Sequence, residues 1–182
     1  ELARSFSVVD KVVTNLALYV APADQKDSAA VRTLIPTEQL QSGTYRLEID
    51  RSGARYTLRR LSEDRGALSQ VVETGAVGDS IGRPVGFLWQ PTSALLGRDR
   101  SIEFTVMTAR EASVELMQTL GVALPLTANV LRFQLTGPTP RMMAKTVNAL
   151  AYEFTAEAER LKKLSLEVSS STVEEQLKIA AD

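Results

Sequence analysis

Neither histidine nor cysteine occurs among the 182 residues. Without histidine the chain lacks the commonest general base and the commonest metal ligand. A Ser-His-Asp triad, an H-E-x-x-H zinc helix and most transition-metal centres therefore cannot be built from it. Without cysteine there is no disulfide scaffold, no thiol nucleophile and no thiolate ligand. That absence suits an exported protein, a trait many cytosolic proteins share. No stretch approaches the roughly 20 apolar residues of a membrane span. A net charge of −1 leaves no basic surplus for nucleic acid. No residue is singled out as catalytic, cofactor-binding or metal-ligating. The chain opens on Glu1 and is expected to be a piece of a longer protein.

Glycine and proline are also missing from Arg141 to the end of the chain. That absence frames the longest feature. Val130–Leu135 reads as a strand, Thr136-Gly137-Pro138-Thr139-Pro140 as a break, and the rest as one helix. Thr139 is a plausible N-cap, and Pro140 suits the first helical position, where its missing N–H costs nothing. About 40 residues of helix would run about 60 Å, more than a domain of this size can bury. Val147, Phe154, Leu161 and Val168 recur every seven residues, and Met143, Leu150 and Leu164 fall between them. This is an a/d stripe over about four heptads, interrupted by Glu157 and Ser171. The candidate packing or assembly stripe is Met143, Val147, Leu150, Phe154, Leu161 and Leu164. Its proximal part is expected to face the core, and its part beyond Leu161 to meet a returning helix or a neighbouring protomer. Residues 1–160 are read as an α/β base domain and 161–182 as the start of a helical arm, with a bend or fraying at Ser169-Ser170-Ser171-Thr172.

Ahead of it, Ser5–Tyr19 is read as an amphipathic helix with Leu2, Phe6, Val9, Val13 and Leu16 on one face, a Ser7/Asp10 capping pair, and an end at Pro22. A short helix is expected within Lys26–Leu34. Thr44–Ile49 and Arg55–Leu61 alternate around the turn Asp50-Arg51-Ser52-Gly53 and read as a hairpin, with Tyr45, Leu47 and Ile49 inward. Arg46, Arg55, Arg59 and Arg60 fall on its solvent side, offset by Glu48, Asp50, Glu63 and Asp64. Gln70–Glu73 reads as a short strand. The glycine-rich Gly75–Gly86 ends in Pro84-Val85-Gly86 and is followed by a strand-like Phe87-Leu88-Trp89, with no Gly-Lys-Ser/Thr ending; it reads as turns rather than a phosphate loop. Ser101–Met107 is a strand, Thr108-Ala109-Arg110-Glu111 a capping box, and the helix it opens buries Ala112, Leu116 and Leu120 before a C-cap at Gly121. A crossover through Pro125 to the strand at Val130 completes a βαβ-sized unit, expected to be right-handed and parallel. The fold class is α+β, with a mixed sheet, an N-terminal helix, a βαβ-like unit and a long C-terminal helix.

The strand Val130–Leu135 before its proline-containing break, Ala144-Lys145-Thr146-Val147-Asn148-Ala149-Leu150-Ala151-Tyr152-Glu153-Phe154, Ala158-Glu159-Arg160 and Val173-Glu174-Glu175-Gln176-Leu177 together resemble the periplasmic domain of the polysaccharide co-polymerase family. That family comprises the Wzz-type chain-length determinants and the Wzc- and GumC-type exopolysaccharide transport proteins, some fused to a tyrosine kinase. Leu2–Val20 resembles the segment after the family's first membrane span, and Tyr45–Ala109 resembles its exopolysaccharide branch. One departure is Gly137 before Pro138, where family members often carry Asp. The resemblance implies a periplasmic location at the bacterial inner membrane, through spans outside this chain. It also implies homo-oligomeric rings, a polysaccharide polymerase or outer-membrane export partner, and control of polymer length or export. It carries over no catalytic residue and no cofactor. The alternative is a periplasmic adaptor of another envelope export machine. A hydrolase would have to use carboxylates such as Glu103 and Glu111, whose strand and capping positions need no catalytic explanation, so the chain is read as non-enzymatic.

Overall fold

In the computed structural model, residues 2–62, 69–123, 130–137 and 139–181 are described. Glu63 and Asp64, expected to offset the arginines, and Pro125 and Pro138, expected in the crossover and the break, lie outside them. The chain forms two compact units: Ala17–Ala112, and Glu1–Leu16 with Ser113–Asp182. The base domain expected over 1–160 thus spans both.

Helix α1 (Phe6–Asn15) opens the chain. Strand β1 (Val20–Pro22), helix α2 (Ser28–Val31) and strand β2 (Ile35–Pro36) follow. The hairpin is β3 (Gly43–Ile49) and β4 (Arg55–Arg60), and β5 (Gln70–Ala76) extends it. Then come β6 (Phe87–Leu88), α3 (Ser93–Leu96), β7 (Arg100–Val106) and α4 (Ala109–Thr119). Strands β8 (Gly121–Ala123) and β9 (Arg132–Gln134) precede α5 (Pro140–Ala181).

The Ala17–Ala112 unit is a five-stranded sheet in the order β1-β7-β3-β4-β5. Alternation decides its faces, since successive strand side chains point to opposite sides. Tyr45, Leu47 and Ile49 of β3 lie opposite Phe104, Ile102 and Arg100 of β7, and Tyr45, Leu47, Ile49, Ile102 and Phe104 are all buried. Their neighbours Arg46 and Glu103 face the other way and pair at 3.0 Å, as do Arg59 and Glu48 at 3.1 Å. Each such exposed pair contributes at most about 1 kcal/mol, so the apolar face carries the sheet. Tyr45, Phe87, Phe104 and Trp89 form an aromatic cluster with ring centroids 5.0–6.1 Å apart. The buried polar ends are satisfied: Trp89 Nε1 donates to the Ala30 carbonyl at 2.9 Å and the Tyr45 hydroxyl to the Gln41 carbonyl at 2.6 Å. Buried Asp27 accepts from the Arg100 guanidinium.

Several sequence expectations hold here. The hairpin and its turn stand, with Gly53 at φ 74°. The capping box forms: the Thr108 N–H donates to Glu111 Oε2 at 2.7 Å, and the Glu111 N–H to Thr108 Oγ1 at 3.1 Å. The Ser42 and Thr108 hydroxyls also donate to that carboxylate; Ser42 first, then the Thr108 N–H and hydroxyl, hold its pKa below the ordinary glutamate value. The glycine-rich stretch is a set of turns. The Gly82 N–H, which a phosphate would need, is given to the Glu73 carboxylate at 2.6 Å.

Other expectations are corrected. Helix α1 ends at Asn15, not Tyr19, because Ala17 takes a left-handed φ of 49° and redirects the chain. Val20–Pro22 is then an edge strand on β7. The N-cap is Ser5, whose hydroxyl pairs with that of Ser7, rather than Ser7 with Asp10. Val8 and Val12 join Val9 and Val13 as the fully buried face, while Leu2, Phe6 and Leu16 are half-buried. The strand read as Gln70–Glu73 runs on to Ala76. The parallel βαβ unit does not form. Gly121 begins β8 instead of capping α4, and β8 pairs antiparallel with β9 as a separate two-stranded sheet. Every pair of named strands among the described residues is antiparallel, so the sheet is not mixed. Both edges of β7 are already taken, by β1 and β3, so no further strand can add beside it. The α+β class itself stands.

Gly82 generates a test. It has φ 88°, and a Cβ there would lie 1.9 Å from Cε2 of fully buried Phe87. Gly78 has φ 113° with nothing within 4 Å of its Cβ position. Gly78→Ala should cost only the left-handed backbone, about 1–2 kcal/mol, and Gly82→Ala clearly more, about 3 kcal/mol or above, since a core ring must also move. Equal losses in urea unfolding would contradict this packing.

Candidate functional site

The candidate stripe lies on α5, in the unit made of Glu1–Leu16 and Ser113–Asp182. The Thr139 carbonyl accepts from the Met142 and Met143 N–H groups at 2.9 and 3.0 Å, and Pro140 occupies the first turn as expected. Three hydroxyls along the helix bond back one turn. Thr146 donates to the Met142 carbonyl, Thr155 to Ala151 and Ser169 to Ser165, at 2.8–2.9 Å. This satisfies Thr146, which is buried. The helix is unbroken through Ser169–Thr172 and continues to Ala181, so it does not fray there.

The six stripe residues do not share one environment. Leu150 is fully buried and Met143, Val147 and Phe154 are half-buried. Phe154 meets Phe133 of β9 edge to face, with centroids 5.8 Å apart. Helix α1 packs on α5 in this unit. Leu161 and Leu164, by contrast, are 41% and 44% exposed, and Val168 beyond them is 64% exposed. The geometry explains the change. A helix of 10 residues is about 15 Å long, whereas one of 42 residues is about 63 Å, so α1 can cover only a fraction of α5.

Glu157 marks the transition. It occupies a stripe position yet is buried, at 4% exposure. Its carboxylate takes a two-bond fork from Arg160, at 2.7 and 3.0 Å, and lies 3.7 Å from Lys11 Nζ of α1. Lys11 also reaches Glu153, at 3.8 Å. Arg160 first, then Lys11, hold the Glu157 carboxyl below the usual glutamate range. In sequence Glu157 reads as a flaw in the seam. Its function as an anchor was legible only in the i,i+3 spacing to Arg160; the partner on α1 could not be seen.

Glu103 and Glu111, the carboxylates of the hydrolase reading, are engaged with Arg46 and in the capping box. Among the described residues no group of three or more His, Cys, Asp or Glu side chains could hold a metal, and no helix is long and apolar enough to cross a membrane. No family model matches the chain, and no curated protein matches it.

The anchor predicts a pH dependence. Because the folded-state pKa of Glu157 is lowered, its contribution to stability is present above the ordinary glutamate pKa and is lost as pH falls through the folded value. Glu157→Gln should therefore lower the unfolding midpoint at neutral pH, and the gap from wild type should shrink towards pH 3. A gap that stays constant with acidification would show that the carboxylate's charge is not what holds α1.

Proposed function

We propose that the chain is the periplasmic portion of a membrane-anchored polysaccharide co-polymerase, located at the bacterial inner membrane. In this reading it oligomerises to set the length or the export of a surface polysaccharide and carries no catalytic residue. The observation that carries the reading is the continuation of the α5 stripe beyond Glu157, where Leu161, Leu164 and Val168 keep the heptad spacing and are exposed. The resemblance of Ala144–Phe154 and its flanks to that family supports it.

Magnitudes favour assembly in the full-length protein over assembly of the free chain. Burying a Leu or Val side chain completely contributes roughly 1.5–3 kcal/mol, and these three are already partly covered. Their sum does not exceed the roughly 4–15 kcal/mol lost when free molecules associate. Membrane anchoring of the protomers would reduce that loss by raising their effective concentration. The stripe would thus act as a contact between tethered protomers, with a polymerase or an outer-membrane export component as the further partner.

Leu161→Glu in the full-length protein tests this. The side chain is exposed, so the variant should fold and reach normal levels. Polymer from a bacterium that depends on the protein should shift in length distribution or fall in yield on gel electrophoresis. Unchanged polymer at normal protein levels would remove the stripe from any such role. Phe154→Glu is a poorer test, because that ring packs on Phe133 and its loss destabilises the unit.

A further inference from the structure

We draw no further inference here: the strongest candidate, the outer edge of the five-stranded sheet at β5, where Val71 is 45% exposed and the strand carries no lysine or proline to blunt it, supports no proposal because nothing in the structure shows what covers it.

Discussion

The arrangement of α5 depends on a mismatch of lengths. A ten-residue helix lies against one of forty-two, and no side-chain chemistry can stretch about 15 Å of cover over about 63 Å. Along the first turns of α5 the stripe is buried at Leu150 and half-buried at Phe154, and Lys11 of α1 reaches Glu153 and Glu157. At Glu157 the apolar seam gives way to a carboxylate held by Arg160 and Lys11. Past that point the same spacing continues in solvent. A buried charge is tolerable only when its hydrogen-bonding capacity is met. Glu157 meets that condition with one partner from its own helix and one from α1, so it ties the two helices at the end of their shared cover.

The Ala17–Ala112 unit solves a different problem. Its five strands are closed by backbone pairing and by one apolar face, while the charged face is occupied by cross-strand pairs that contribute little. Two conditions make the core specific rather than merely apolar. Buried polar ends find partners: Trp89 and Tyr45 donate to carbonyls, and Asp27 accepts from Arg100. Gly82 also lets the backbone pass so close to Phe87 that no Cβ could be accommodated. The glycine-rich stretch is therefore explained by packing, and its Gly82 N–H is committed to Glu73.

The functional proposal rests on a surface rather than on reacting groups. Lack of histidine and cysteine removes the usual nucleophile and metal chemistry, and the carboxylates considered for hydrolysis are engaged in ion pairing and helix capping. Among the described residues, folding leaves an apolar seam on α5 exposed beyond Glu157. An exposed apolar seam of heptad spacing suits another helix.

Local periodicity determined much of this from sequence alone. Alternation identified the hairpin and β7, the capping box identified the start of α4, and the absence of glycine and proline after Pro140 identified α5. Each of these depends on neighbours within a few residues, where the geometry of strand or helix dictates the spacing. The partners of those elements were decided only by tertiary structure. The expected parallel crossover gave way to an antiparallel β8–β9 pair because a strand's partner is chosen by chain reach and by which edge is free, and neither is written in its own residues. The end of α1 was misplaced for the same reason, since Val20–Pro22 became a strand only because β7 offered an edge. Glu157 is the clearest case at the candidate site: its spacing marked it as a break in the stripe, and only the approach of Lys11 made it an anchor. The sequence determined the stripe; the length of α1 decided where it is left bare.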